Sequence, residues 1–239
     1  MDPDEEKPKP TDLVENSPII RSIGVEKIYD TGEVRVHALR GLDLEISRGE
    51  MVAVMGPSGC GKTTLLNCLS GIDEIDDGKI LIEDKDISKM SDRERTEYRA
   101  KKMGFIFQSY NLLPVLSALE NVQLPLLVSG VNVKASKEKA MNALEVVGLK
   151  DWAKHKPSEL SGGQQQRVAI ARSLVNDPVI VWADEPTGNL DKENTVQIMK
   201  LLSTLNKEKN QTYVVVTHDP LVSGMADRIV RMENGRIVE

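Results

Sequence analysis

The strongest fold signal in the sequence is the stretch Met51-Val52-Ala53-Val54-Met55-Gly56-Pro57-Ser58-Gly59-Cys60-Gly61-Lys62-Thr63. Its apolar start is typical of a short strand buried on both faces. The remainder matches the pattern Gly-x-x-x-x-Gly-Lys-Ser/Thr and leads into a segment of helical character. Glycines let such a loop turn so that its backbone N–H groups point at phosphate oxygens, and the following helix adds the positive end of its dipole. The stretch therefore predicts a phosphate-binding loop between a strand and a helix.

Two side chains of this loop have predicted roles. Lys62 would reach the β- and γ-phosphates of a nucleotide, and the Thr63 hydroxyl would bind a Mg²⁺ ion that bridges them. The alternative is an accidental glycine-rich turn, which average residue frequencies produce in on the order of one per cent of chains of this length. The loop alone does not separate kinases, GTPases and motors, which all bind nucleotides in this way.

Outward from the loop, short β-branched runs alternate with longer segments of helical period. Residues 179–183 and 213–217 form two further apolar runs typical of central strands. Between them, Ile198, Leu201, Leu202 and Leu205 follow the spacing of an amphipathic helix. This alternation predicts an α/β fold, a P-loop NTPase core with a mostly parallel sheet.

Two regions differ from this core pattern. Residues 19–48 and 79–87 read as antiparallel strands joined by turns, which predicts an N-terminal antiparallel β subdomain. Residues from about 109 to 160 are mostly helical and are interrupted at Pro114, Pro125 and Pro157, which predicts an inserted helical subdomain. We expect one domain over residues 19–239.

Composition limits the remaining possibilities. Residues 1–18 hold six acidic side chains and four prolines, which predicts a disordered tail and not a signal peptide. No apolar run approaches the roughly 20 residues that span a bilayer, so we expect no membrane crossing by this chain.

The net charge of −6 argues against a nucleic-acid partner. A helix would hold Cys60 and Cys68 roughly 12 Å apart, which predicts free thiols in a reducing cytosol.

A second motif narrows the function. A predicted helix begins within the stretch Leu160-Ser161-Gly162-Gly163-Gln164-Gln165-Gln166-Arg167. Ser161 and the glycines therefore form a second helix N-terminus able to bind an anion. Two such starts in one chain make sense if the second serves a nucleotide held mainly by another subunit. The simpler alternative is an ordinary helix cap with a flexible Gly-Gly pair.

A pair of acids follows the apolar run at residues 179–183. Asp184 would hold Mg²⁺ through its water shell, and Glu185 would orient and deprotonate an attacking water. Adjacent carboxylates at a strand end could instead cap the next turn. The preceding phosphate loop favours the catalytic interpretation.

Over about residues 19–239, these motifs resemble the nucleotide-binding domain of ABC transporters, and residues 160–164 match the signature specific to that family. The resemblance implies that Gln108 contacts Mg²⁺ and relays movement to the helical lobe, that residues 188–191 lie across a dimer interface, and that His218 touches the γ-phosphate. Tyr29 matches the aromatic residue that stacks on adenine. The implied nucleotide contacts are Tyr29, Gly56, Pro57, Ser58, Gly59, Cys60, Gly61, Lys62, Thr63, Thr64, Ser161, Gly163 and Gln164.

Departures from the family pattern are small. Trp182 replaces a residue that is usually aliphatic, and Cys60 replaces a common serine, where a redox role stays open. Four short motifs resemble most the branch of lipoprotein-release and macrolide-exporter ATPases: Leu112-Leu113-Pro114, Glu120-Asn121-Val122, Pro157-Ser158-Glu159-Leu160 and Gly188-Asn189-Leu190-Asp191.

The resemblance implies an ATPase that uses ATP and Mg²⁺. Two copies would form a head-to-tail homodimer on ATP and drive a separate transmembrane permease subunit from the cytoplasmic, inner face of the cell membrane. A regulatory ATPase of the cell-division type is the main alternative. DNA-repair ATPases of this class have a long coiled coil between their halves, whereas only 96 positions separate Lys62 from Ser158 and no heptad run occurs. Related translation factors usually join two such cassettes in one chain.

Overall fold

The structure is a computed structural model that describes residues 18–238. The predicted tail lies outside the described residues apart from Pro18, which already belongs to the first strand. The strands are β1 (Pro18–Asp30), β2 (Arg35–Ser47), β3 (Met51–Met55), β4 (Asp77–Ile82), β5 (Lys85–Asp86), β6 (Met103–Phe107), β7 (Ile180–Asp184), β8 (Thr212–Val216), β9 (Arg228–Glu233) and β10 (Arg236–Ile237). The α-helices are α1 (Lys62–Leu69), α2 (Asp92–Lys102), α3 (Ala118–Val128), α4 (Val133–Val146), α5 (Gly162–Leu174), α6 (Lys192–Lys209) and α7 (Pro220–Ser223).

A six-stranded sheet with the order β10-β9-β3-β8-β7-β6 forms the centre of the fold. All its neighbouring pairs are parallel except β10 with β9. The three predicted central strands are present, β3 at its predicted bounds and the other two shifted by one residue. Because parallel strands end at one edge, the segments that follow β3, β6, β7 and β8 meet there. The predicted α/β fold with a mostly parallel sheet is confirmed.

A second, antiparallel sheet has the order β2-β1-β4-β5. Its buried side chains, among them Ile20, Leu39 and Ile82, share one apolar cluster with Val52 of β3 and Leu65 of α1. This packing fixes the N-terminal sheet against the phosphate loop and its helix. The predicted antiparallel β region is therefore present, and it places the end of β1 beside α1.

The helices of the predicted inserted region pack on α5. Val122 and Leu126 of α3 and Leu144 of α4 lie in one fully buried cluster with Val168 of α5. The expected interruption at Pro125 is wrong, since this proline lies inside α3. A proline costs the helix one backbone hydrogen bond, and burial of the apolar residues on either side of it offsets that cost.

Two further expectations concern helices and cysteines. Ile198, Leu202 and Leu205 of α6 are buried as the amphipathic pattern predicts. Cys60 and Cys68 are buried free thiols. Within residues 18–238, no helix combines the length and apolarity needed to span a bilayer.

Candidate phosphate-binding and catalytic site

Two glycines of the phosphate loop, Gly56 and Gly61, leave no room for a side chain. A Cβ atom on Gly56 would lie 2.2 Å from the carbonyl oxygen of Met232. Gly61 has a φ of +103°, and its Cβ would lie 2.7 Å from the carbonyl oxygen of Ala38. The loop thus follows a path that requires glycine for both steric and conformational reasons.

Lys62 is the first residue of α1, directly after this loop. Its Nζ donates hydrogen bonds to the carbonyl oxygens of Gly56 at 2.9 Å and Pro57 at 3.0 Å. The side chain is largely buried, so the ammonium group is held within the loop that precedes it. A buried lysine whose partners are neutral carbonyls is a strong counter-charge for phosphate.

The loop lines one wall of a cleft of about 460 Å³. The cleft brings together predicted site residues from distant parts of the sequence: Tyr29, Ser58, Gly59, Cys60, Gly61, Lys62, Thr63, Thr64 and Glu185. Seven further lining residues were not identified as site residues from the sequence: Val36, His37, Ala38, Arg40, Val216, Asn234 and Gly235. The last two form the turn between β9 and β10, and the N–H of Gly235 donates to the carbonyl oxygen of Cys60 at 3.0 Å. Asn-Gly is a recognisable turn signal, but only the tertiary fold places it beside the loop.

Thr63 and Asp184 come together at the carboxyl edge of the sheet. The Thr63 hydroxyl donates to the Asp184 carboxylate, with oxygen distances of 3.2 and 3.3 Å. Burial raises the pKa of Asp184, the Thr63 hydrogen bond opposes that rise, and the neighbouring Glu185 charge adds to it. A partly buried carboxylate beside a hydroxyl is a pair of hard oxygen ligands, which suits Mg²⁺.

The described residues contain no cluster of three or more His, Cys, Asp or Glu side chains able to hold a metal ion. Mg²⁺ characteristically keeps several waters and binds through one or two protein oxygens together with substrate phosphates. The Thr63 and Asp184 oxygens fit that pattern, and they fit no all-protein metal cage.

Glu185 is held at both of its carboxylate oxygens. Oε1 lies 2.7 Å from Nδ1 of His218, and Oε2 accepts a hydrogen bond from the Thr217 hydroxyl at 3.2 Å. The backbone φ of Glu185 is +47°, in the left-handed region, and its N–H donates to the carbonyl oxygen of Val216 at 2.9 Å. Thr217 was not predicted as a site residue, because its hydroxyl belongs to no motif of its own. An oriented carboxylate at the cleft is suited to accept a proton from water.

Gln108 follows β6 at the same edge of the sheet, and it contacts a different segment. Its carbonyl oxygen accepts from Asn189 Nδ2 at 2.9 Å, and its Nε2 lies 3.5 Å from Asn189 Oδ1. A Cβ on Gly188 would lie 2.7 Å from Gln108 Nε2. Gln108 is not among the residues that line the phosphate cleft. In this conformation, the structure joins it to the turn that follows Glu185.

The second predicted helix start is also present. Ser161 caps α5: its Oγ accepts from the Gln164 N–H at 3.3 Å, and Gln164 Oε1 accepts from the Ser161 N–H at 2.9 Å. A Cβ on Gly163 would lie 2.6 Å from Asn194 Oδ1, so this glycine lets α5 approach the start of α6. Ser161, Gly163 and Gln164 do not line the cleft that contains Lys62. The two helix starts of one chain therefore belong to different surfaces.

Known proteins with similar sequences belong to one family. A family model described as ABC transporter matches residues 39–188. An uncharacterized ABC transporter ATP-binding protein of Thermotoga maritima is 52% identical over 219 residues, which is 92% of this chain and 93% of the relative. The lipoprotein-releasing system ATP-binding protein LolD of Legionella pneumophila is 45% identical over 93% of this chain and 98% of its own length.

Solved structures give the same result. The ATP-binding cassette MJ0796, a dimer in a post-hydrolysis state bound to ADP and Pi, matches with a TM-score of 0.85 and 42% identity. The match covers 92% of this chain and 97% of that chain. Fold, motifs and relatives agree that this chain belongs to the ABC transporter ATP-binding family, whose members are ATPases.

Proposed function

We propose that two copies of this chain close head to tail on ATP, and that hydrolysis between them drives a separate transmembrane subunit. One observation carries the proposal: the cleft around Lys62 and Glu185 lacks the Ser161 helix start of its own chain. A second copy would bring its own Ser161 to that cleft and complete the site. The dimeric state of MJ0796 with ADP and Pi supports this arrangement.

The loop, Thr63, Asp184 and Glu185 have defined tasks in this proposal. Lys62 offsets the charge of the β- and γ-phosphates, and the loop N–H groups orient them. Thr63 and Asp184 would hold Mg²⁺, which supplies charge neutralisation when it is bound with ATP. Glu185 accepts a proton from the water that attacks the γ-phosphorus, and the bond to the bridging oxygen breaks to release ADP and phosphate.

This chain has a surface beside the segment of Gln108 on which the transmembrane partner could dock. Phe105 and Phe107 of β6 stack with 6.1 Å between ring centroids, and they line an open groove with Leu124 and Val128 of α3. Val128 is 76% exposed, so the groove carries apolar surface that the single chain does not cover. We assign this groove to a cytoplasmic segment of the permease, which holds the chain at the inner face of the membrane.

The type of transport follows the relatives. LolD proteins of several bacteria are 44–45% identical over at least 90% of this chain, so we place the chain in a transporter of the lipoprotein-releasing type. The cell-division alternative is not favoured, because the relatives are named as transporter ATP-binding proteins.

The test of the nucleotide role is Lys62→Ala. We expect loss of phosphate release and weaker ATP binding, because the counter-charge inside the loop is removed. Lys89→Ala is the matched control, since Lys89 is exposed and, within residues 18–238, its ion-pair partner is the Asp86 carboxylate at 3.5 Å. Normal turnover by Lys62→Ala would contradict the proposal.

The docking surface is tested separately by Val128→Glu. A charge in the groove should release the chain from membranes that contain its transporter while leaving ATP binding by the isolated chain unchanged. Val133→Glu, which is exposed on α4 outside the groove, is the control. Membrane association that survives Val128→Glu would place the partner elsewhere.

A further inference from the structure

We propose that Asp73 is a positioning residue that fixes the Tyr29 ring for stacking on the adenine base of ATP. The inference rests on the proposed function, since it requires a nucleotide whose phosphates occupy the loop at Lys62. It adds a residue that belongs to none of the motifs identified in the sequence. Asp73 lies in the connection between α1 and β4.

Asp73 holds two side chains of β1 at once. The Tyr29 hydroxyl donates to Asp73 Oδ2 at 2.6 Å, and Lys27 Nζ donates to Asp73 Oδ1 at 2.9 Å. Lys27 Nζ also lies 5.0 Å from the centroid of the Tyr29 ring, within the range of a cation–π contact. In this unit the carboxylate holds both the hydroxyl end of the ring and the cation near it, and the Tyr29 hydroxyl also contacts the Thr64 side chain of α1.

The unit meets the cleft on one side only. Tyr29 lines the cleft and is 38% exposed, whereas Lys27 and Asp73 are not among the lining residues. The cation thus contacts the ring without lining the cleft, and the ring itself lines the cleft and is available to a base.

Asp73 is itself tied to the phosphate-binding helix. Its N–H donates to the carbonyl oxygen of Asn67 in α1 at 3.1 Å, and its Oδ1 also accepts from the Glu74 N–H at 2.8 Å. Helix α1 starts at Lys62. A continuous hydrogen-bonded path thus runs from the phosphate loop through α1 and Asp73 to the ring. This path sets the position of the base platform relative to the phosphates.

Orientation before binding has a measurable consequence. Base–aromatic stacking strengthens binding by a factor of about 5 to 150. A ring that is already held loses little rotational freedom when the base stacks, whereas a free ring loses more and binds more weakly. Removing the hold should therefore weaken ATP binding by about three- to tenfold and leave the phosphate contacts intact.

The decisive variant is Tyr29→Phe, which keeps the ring and the Lys27–Asp73 pair and deletes only the hydroxyl. We would measure Kd for ATP and for inorganic tripolyphosphate, which has no base, together with KM and kcat. Tyr29→Phe should raise Kd and KM for ATP about three- to tenfold, with kcat and tripolyphosphate affinity unchanged. Asp73→Ala should do the same, and the double variant should bind ATP no more weakly than Asp73→Ala alone.

Tyr98→Phe is the matched control. Lys85 Nζ lies 5.8 Å from the centroid of the Tyr98 ring, and the Tyr98 hydroxyl donates to the Ile82 carbonyl oxygen at 3.3 Å. Tyr98 does not line the cleft. Its variant deletes an equivalent hydroxyl and should leave both affinities unchanged.

Each other outcome has a distinct meaning. Wild-type ATP affinity in Tyr29→Phe would overturn the proposal, because the hydroxyl bond would then have no role in binding. Equal losses for ATP and tripolyphosphate would overturn it too, since Asp73 would then support the phosphate loop. If the wild-type protein bound ATP no more tightly than tripolyphosphate, no residue would hold the base and the proposal would be overturned. If the wild-type protein bound neither compound, the proposed function itself would be refuted.

Discussion

The substitution Glu185→Gln separates chemistry from folding at this site. The amide has the same size as the carboxylate and still offers an oxygen to the Thr217 hydroxyl, which lies 3.2 Å from Oε2. The contact that changes is the one between Oε1 and Nδ1 of His218, whose side chain is 72% exposed while that of Glu185 is 18% exposed. Exposed ion pairs contribute under about 1 kcal/mol. The variant should therefore fold and bind ATP.

The effect on hydrolysis should be much larger. An amide can orient water but cannot take its proton, and a positioned general base contributes about 10²- to 10⁴-fold to rate. We expect kcat to fall by that factor, which corresponds to about 2.7–5.4 kcal/mol in the activation free energy. The rise in activation free energy is thus larger than the loss in the free energy of unfolding. Because ATP still binds and is hydrolysed slowly, ATP-bound dimers should accumulate.

The assay combines single-turnover phosphate release with sedimentation in ATP and Mg²⁺. Glu138→Gln, which makes the same change on an exposed position of α4, is the control and should behave as wild type. A Glu185→Gln protein that releases phosphate within tenfold of the wild-type rate would refute the base assignment. Monomer alone in sedimentation would refute the link between blocked hydrolysis and a closed dimer.

Four further substitutions test the geometry of the site. Gly56→Ala should lower the free energy of unfolding by at least about 3 kcal/mol, because its Cβ meets a β9 carbonyl oxygen at 2.2 Å. Gly59→Ala, with φ +77° but open space around the Cβ, should cost only about 1 kcal/mol in the same denaturant titration. Burial raises the pKa of Asp184, so its ionised form destabilises the folded state near neutral pH, and Asp184→Asn should raise Tm without nucleotide; an unchanged or lower Tm would contradict this. Thr217→Val should lower kcat about tenfold at unchanged ATP affinity, because Glu185 loses the hydroxyl that orients it; wild-type kcat would leave Thr217 without a role.

The sequence predicted those features that depend on neighbouring residues in the chain: strands, helix caps and glycine turns. The apolar run of β3 has the predicted bounds because both faces of a central strand are buried, and Ser161 caps α5 because a serine before a helix satisfies its free N–H groups. The glycines of the phosphate loop were identifiable because their spacing carries a steric requirement.

Other features depend on contacts between distant segments and left no local signal. The turn at Gly235 reaches Cys60, and Asn189 binds Gln108, through positions that only the assembled sheet brings together. The role of Asp73 is of the same kind, since an aspartate in a connecting loop has no motif and acquires its partners from β1. Pro125 remained inside α3 because tertiary burial outweighed its local cost.

The central claim is a site shared between two copies, and complementation tests it directly. A Lys62→Ala chain keeps its Ser161 helix start, and a Ser161→Arg chain keeps its phosphate loop at a cost of about 1 kcal/mol for the lost cap. Neither variant alone forms an intact site. Mixed heterodimers would contain one complete site, so activity should reappear at a fraction of wild type and rise with protein concentration. ATP-dependent crosslinking in the same mixture reports association even if both sites must act together. The shared site would be contradicted if the mixture showed no activity and no association. This conclusion requires that both variants are folded and that the Ser161→Arg chain still binds ATP.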